Sequence, residues 1–456
     1  MYKPYYKPVL NAFADIKIPE PKVSKLILFI LTIIGKTYIN ILFGFAKIVL
    51  HNDKILFESF SSALSGKSRC LIAFRHPDGR EPQLLTWFFL FRLAKLASKK
   101  GYKFKKRPHA IFVYGYEVVR WGGALARLFM PNLGAIPIHH TKMDSKGMAR
   151  LYNSIYEGKY PLALAPEGQV SYSTDTVPRL EAGIVRIGFT AASKMNENNQ
   201  NEKPDCPLEI LPLSVHFRYG KKGKAGALKL LKKIEKICGI KNEQPQKPSF
   251  TERLNTCRNF ILELNEKRYG IKTDSSMSFD ERLEKTVHSA LETAEKIKCI
   301  KPEGDFFMRL YKVRHECWDK IYLPNLDIGD LKKLNFINHN IIDLDASQSW
   351  YASRHQEYAD FGWYFKHLLP KEDTPLHLKI EYVQNLWDFA NRTMGGAISG
   401  RINIPADKVI IKAASPINLT ARLSQYKEDR RGTIENTMAD LENAYLNCIT
   451  EVNSEV

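Results

Sequence analysis

The sequence predicts an α/β protein: a mostly parallel sheet flanked by helices, preceded by apolar N-terminal helices and joined to a C-terminal helical region. Three observations carry this reading. Between about residues 70 and 218, short apolar runs alternate with longer stretches of helical periodicity, the rhythm of β-α-β units. Residues 24–50 are the most apolar part of the chain, interrupted by Lys36 and Lys47. From 275 to about 400 the pattern turns mainly helical and aromatic, with Trp318, Trp350, Trp363 and Trp387.

Taken in order, the apolar runs 25–34 and 37–50 are each shorter than the ~20 residues that a helix needs to cross a bilayer. A single helix through both would carry Lys36 near mid-depth, which is costly. Two shorter helices lying in one leaflet, their lysines reaching the headgroups, satisfy both constraints; the plainer alternative is a core helix packed on the body. The Pro- and Lys-rich start does not read as a secretory leader. A buried strand is expected at 70–74 and a helix at 82–97, where Pro82 suits a first turn and Gly101 a stop. Strands follow at 110–114, 135–138, 160–165 and 208–217, separated by helices at 117–130, 146–157 and 180–195. Ligands of such sheets sit at the carboxyl ends of strands, where both His76 and Glu167 fall. Residues 196–207 read as a polar loop, the lysine-rich 220–242 as a solvated face, and 249–268 as a closing helix. A last strand at 408–413 and a charged helix at 430–453 are placed to pack back on the first domain. The expected organisation is a membrane-associated helical segment 1–50, an α/β domain 51–270, a helical accessory region 271–400 and a C-terminal strand and helix 401–456.

Composition narrows the partners. Hydrophobic content of 44% and charged content of 26% are ordinary for a globular chain of 456 residues and argue against wholesale disorder. The 68 Lys+Arg against 49 Asp+Glu leave +19, which favours an anionic partner, nucleic acid or an acidic membrane surface. Because the lysine-rich stretch lacks the interleaved aromatics of a base-stacking platform, no nucleic acid is expected. Seven cysteines without a C-x-x-C pair indicate neither a zinc site nor a disulfide framework, and suit a reducing compartment. His355, Glu357, Asp360 and His367 match no strong ligand spacing, so no metal is expected.

Chemistry concentrates at the turn Phe74-Arg75-His76-Pro77-Asp78-Gly79-Arg80-Glu81. A neutral imidazole takes a proton from an alcohol when a carboxylate holds its other N–H and stabilises the imidazolium. Glu81 is the candidate orienter of His76, with Asp78 a second carboxylate in reach. Three further blocks follow: Asn132 through His140, Leu164-Ala165-Pro166-Glu167-Gly168-Gln169-Val170-Ser171, and Ile210-Leu211-Pro212-Leu213-Ser214. In this order and rough spacing the chain resembles the glycerolipid acyltransferase family, which includes the bacterial 1-acylglycerol-3-phosphate acyltransferases. The resemblance spans about a third of the chain, residues 70–218. It implies transfer of a fatty acyl group from a thioester, carried by CoA or acyl carrier protein, to a hydroxyl of a glycerolipid or lysophospholipid, without a further cofactor. His76 would be the general base with Glu81 and Asp78 beside it, and Arg80, His140, Glu167, Gly168 and Gln169 would meet the substrate. Together with the apolar N-terminus it implies a monotopic or peripheral membrane protein whose active site faces the cytoplasm.

The chain departs from the family pattern at three places. Glu81 stands where the family usually has aspartate. His140 ends the second block where arginine is general, and Gln169-Val170 follow Gly168 in place of threonine and arginine. Arginines there are thought to hold an acceptor phosphate, for which a guanidinium fork is suited; Arg75, Arg80, Lys142, Arg179 and Arg186 are this chain's nearest substitutes. A serine hydrolase is disfavoured by the lack of a Gly-x-Ser-x-Gly elbow. The alternative of another class is a catalytically inactive, basic protein that binds lipid or nucleic acid.

Overall fold

Strand β2, Arg69–Phe74, lies inside the sheet, and its five residues after Arg69 are all buried. A strand covered on both faces reads as an unbroken apolar run, as Cys-Leu-Ile-Ala-Phe does here. The computed structural model describes residues 8–40, 44, 47–139, 144–198, 206–240, 248–324, 326–365 and 369–455. Its other strands are β1 Lys47–His51, β3 Ile111–Gly115, β4 Ile136–Ile138, β5 Leu162–Leu164, β6 Leu208–Arg218, β7 Lys408–Ala413 and β8 Ile417–Asn418. They form one sheet in the order β1-β7-β6-β2-β5-β3-β4, with β8 pairing β6. Strands β6, β2, β5, β3 and β4 run parallel, in a register that sets Ala73 beside both Leu164 and Pro212. Strand β7 is antiparallel to β6 and parallel to β1. The mostly parallel, helix-flanked α/β architecture expected from the sequence is the one observed.

Alternation along β2 divides the core. Cys70, Ile72 and Phe74 join Phe57, Phe60, Leu84 and Phe88 on one face, whereas Leu71 and Ala73 join Ile184, Phe189, Leu441 and Tyr445 on the other. The chain leaves β2 for β3 on one flank, returns through β5, and then crosses to β6 on the other. The end of β2 therefore receives loops from both sides, the topology at which open α/β sheets bind ligands.

The apolar stretch 24–50 differs from the expected pair of helices. Among the described residues one α-helix forms there, Lys25–Tyr38, and the second run ends as strand β1, which pairs with β7 from the far end of the chain. Lys47-Ile-Val-Leu-His51 carries two β-branched residues, and its partner strand decides its conformation. The expected helix 117–130 is broken at Gly122–Gly123, Gly123 having φ +74°, into Val118–Trp121 and Gly123–Asn132. Among the described residues no helix is long and apolar enough to cross a membrane.

The chain divides into two compact units. One, Ile18–Lys222 with Pro405–Val456, holds the sheet. The other, Met1–Lys17 with Gly223–Ile404, contains the helices Phe250–Arg268, Phe279–Ile297, Phe306–Ile321, Phe336–Tyr364 and Leu376–Thr393. Within it, forked arginine–carboxylate pairs tie successive helices: Arg253 with Glu235 (2.6 and 2.8 Å), Arg282 with Glu266 (2.8 Å twice) and Arg309 with Glu295 (2.8 and 2.7 Å). Ser249 with Glu252, and Ser278 with Glu281, close capping boxes that start two of these helices.

Candidate active site

The chain leaves the sheet at His76. Arg75 N–H still donates to Leu213 O of β6 (2.9 Å), after which Pro77 and Gly79 turn the backbone into the helix Glu81–Trp87. Gly79 has φ +101°, where a side chain would strain the turn. Glu81, the first residue of that helix, is fully buried, and its carboxylate folds back over the turn. It accepts from the N–H of Asp78 (2.9 Å) and of Gly79 (2.9 Å), and Oε2 lies 2.6 Å from His76 Nδ1. With Nδ1–H donating to this anchored carboxylate, Nε2 keeps its lone pair. No residue described in the structure hydrogen-bonds to Nε2, and the imidazole side chain is 17% exposed. Burial disfavours the imidazolium, but the hydrogen bond and charge of Glu81, helped by the charges of Glu167 and Asp78, outweigh it. The His76 pKa is therefore raised above its ordinary value.

The Pro-Glu-Gly loop after β5 meets this turn directly. Glu167 Oε2 accepts the His76 backbone N–H (2.7 Å) and Oε1 accepts Arg75 Nε–H (3.1 Å). Ser171 N–H donates to His76 O (2.9 Å), and Val170 packs over Gly79. The remaining Arg75 nitrogens donate to the carbonyls of Ser173 (3.1 Å), Thr174 (2.5 Å) and Thr176 (2.6 Å). Both side chains of the Arg75–Glu167 pair are wholly shielded from solvent. Breaking a buried pair of this kind costs about 3–5 kcal/mol, so turn and loop behave as one piece.

This geometry reassigns several residues. Glu167, expected to face an acceptor, is spent on Arg75 and the His76 backbone and braces the turn from inside. Asp78, expected to share the orienting role, holds Arg80 through Nε and Nη2 (2.9 Å to the latter). Arg80 is consequently a buried, ion-paired cation whose guanidinium lies 5.6 Å from the Phe217 ring, not a side chain extended toward solvent. Gly168, at φ +71°, forms the exposed corner of its loop, and Gln169 beside it is half-buried. The His139 ring stacks on Tyr116 (4.3 Å), and the His139 backbone N–H donates to the Asp144 carboxylate (3.0 Å). His140 and Lys142 lie outside the described residues. Arg179 and Arg186 are exposed.

Sequence reasoning missed three contributors. Arg75, among the sequence's substitutes for a phosphate-binding arginine, is instead an arginine beside a buried strand that needs a buried carboxylate, and Glu167 is that partner. Tyr445, on the helix Arg430–Ser454, donates its hydroxyl to Ala73 O (2.9 Å), and Asn453 on the same helix donates to Asp175 (2.8 Å) beside the Arg75-bound carbonyls. Nothing local foretells contacts across such sequence distances. Ser214 and His216, two apart and so on one face of β6, form a wholly buried 2.8 Å pair within the core.

Of the candidate ligands in the helical unit, His355 Nδ1 meets Tyr269 Oη (3.0 Å), Glu357 pairs with Arg392 (3.4 Å) and Asp360 with Arg314 (2.5 Å). His367 lies outside the described residues. Among the described residues no group of three or more His, Cys, Asp or Glu is gathered to hold a metal. No family model matches the chain, and no curated protein matches it.

Proposed function

We propose that the protein is an O-acyltransferase that moves a fatty acyl group from an acyl thioester to a hydroxyl of a glycerolipid or lysophospholipid. The reading rests on one observation, the 2.6 Å contact of His76 Nδ1 with a Glu81 carboxylate that the backbone N–H groups of Asp78 and Gly79 also anchor, at the end of β2. Neutral His76 takes the acceptor's hydroxyl proton on Nε2 as that oxygen attacks the thioester carbonyl. Glu81 holds the tautomer and balances the imidazolium's charge. Collapse of the tetrahedral adduct expels the thiolate, which regains the proton from His76, leaving an ester and a free thiol. The order and rough spacing of the four sequence blocks, which resemble those of the glycerolipid acyltransferases, support the same reading.

A lipid-surface location suits it. The helix Lys25–Tyr38 exposes Leu26 (66%), Phe29 (54%) and Ile33 (63%) on one face. Leu125 and Leu128, on the helix Gly123–Asn132, are also exposed, and a bridge between Val23 and Leu133 joins the two segments. Its other face buries Leu28 and seats Gly35 against Trp87 of the helix that Glu81 begins. The test is to incubate wild type and His76→Ala with labelled acyl-CoA or acyl carrier protein and a panel of lysolipids, reading products by mass. Wild type forms an esterified lipid and His76→Ala loses that activity while staying folded; near-normal turnover by the variant overturns the proposal.

A further inference from the structure

In the helical unit, the helix Phe336–Tyr364 is fixed from behind. Ala346, Ser349, Ala352 and Ser353 are buried against the unit. Ser349 accepts from Lys298 Nζ (2.8 Å), and Asp343 accepts from Asn11 Nδ2 (2.9 Å) and from the Ala12 N–H (2.8 Å). The opposite face of its first four turns is apolar and open. Ile337 and Leu344 are each 70% exposed, and Ile341 and Tyr351 are more than half exposed. With the exposed Gln348 between the last two, they recur at spacings of four, three, four and three residues. That is the 3.5-residue repeat of a coiled-coil seam, and the buried Ala346 stands directly behind it. A helix that only closes a bundle turns polar residues to water. Single exposed apolar residues are ordinary; a contiguous stripe marks a contact.

Charge decides what the stripe meets. The chain carries 68 Lys+Arg and a net +19, so two copies repel each other over most of their surface. Residues 334–353 contain neither Lys nor Arg. Asn338, Asn340, Asp345 and Ser347 flank the seam, and the one charge among them, Asp345, lies 3.6 Å from Lys320 Nζ. The stripe therefore lacks the cations that an anionic lipid surface would draw in. It is a place where two copies of a basic protein can touch without cation facing cation. We propose that this face, Ile337 to Tyr351, is a self-association surface on which a second copy of the chain sets the same face about a two-fold axis. Side chains of one copy enter the gaps between those of the other. Gln348 is the polar member of the seam and fixes its register, since a shifted pairing would bury its amide without a partner. Specific dimers bury about 800 Å² on each partner, and four large exposed side chains with Phe336 beside them supply area on that order. The helix is already held in place, so little ordering is lost on association. The contact is independent of any acyl transfer and of the exposed face of Lys25–Tyr38.

Sedimentation of the full-length chain at micromolar concentration tests it. The expected mass is that of two 52.4 kDa chains, falling toward one on dilution. Leu344→Asp should weaken association by about 100-fold or more, as loss of a central contact does, and leave thermal unfolding unchanged. Gln348→Arg, which alters only an exposed polar side chain, should do the same by setting cations across the axis. Phe29→Asp with Ile33→Asp should still dimerise, because those residues lie outside the seam. A wild type that stays a single chain at tens of micromolar, or a dimer that survives both seam variants, would overturn the proposal. So would a single-chain wild type whose flotation on anionic vesicles is abolished by Leu344→Asp, since lipid would then be what covers the face.

Discussion

The carboxylate that aims His76 also makes its imidazole harder to deprotonate. Burial opposes the imidazolium, while Glu81, Glu167 and Asp78 together raise the pKa above the ordinary 6.5. A general base works only when neutral, so under the proposed mechanism kcat/KM rises with pH through an inflection above 6.5 and is lost on acidification. Stability runs the opposite way. The bonus from pairing imidazolium with Glu81 is complete below the ordinary value and disappears as pH rises through the higher folded one. Glu81→Gln separates aim from charge, since the amide keeps the shape but not the negative charge. The expected outcome is an inflection displaced to lower pH and a kcat reduced by about 10²–10⁴-fold, the usual worth of an oriented base. The check is a pair of pH–rate profiles; superimposed profiles would remove Glu81 from the mechanism. The extra methylene relative to aspartate has a use here: from the first position of its helix, Glu81 reaches back to three donors, the N–H groups of Gly79 and Asp78 and, five positions away, His76 Nδ1.

At the scale of elements, local pattern carries what neighbouring residues decide, and not what distant partners decide. The run 70–74 is apolar because both faces of β2 are covered, and the placement of His76 at its end needed no further knowledge. The run 37–50 is equally apolar, yet it ends in strand β1 because β7, formed by residues 408–413, offers it an edge. Apolar content alone does not distinguish these outcomes. The helix Lys25–Tyr38 follows from its own apolar run, and its outward face supplies a prediction. Phe29→Asp with Ile33→Asp changes only side chains that are largely exposed, 54% and 63%, so the sheet's unfolding transition should barely move. If the proposed lipid-surface location holds, membrane association should fall sharply, because two charges would have to enter the headgroup–acyl boundary. Co-flotation with phosphatidylglycerol-containing vesicles measures it; undiminished flotation would assign the face to another contact.

For the molecule as a whole, the sequence conveys the α/β order, the helical region and the basic charge, but not the stitching by the chain's end. Tyr445 reaching Ala73, and β7 inserted between β1 and β6, are long-range pairings that no local periodicity encodes. The pairing of Arg75 with Glu167 is of the same kind, two buried charges found about ninety residues apart only because β2 and β5 are neighbours. Net charge is different: it is legible in full, but ambiguous, since +19 suits an acidic membrane or a nucleic acid equally. Salt separates the two. Raising ionic strength from about 0.1 M to about 1 M shortens electrostatic reach from about 10 Å to about 3 Å. A complex held by phosphate contacts dissociates over that range, because each contact releases counterions. Under the proposed lipid-surface location, insertion of the exposed Leu26, Phe29 and Ile33 into lipid would not be screened. Wild-type protein on anionic vesicles should therefore bind less tightly at high salt yet remain partly bound, whereas the Phe29→Asp, Ile33→Asp variant should be released completely. Full release of the wild type would mean that charge alone holds it, and that the apolar face of Lys25–Tyr38 does not enter lipid.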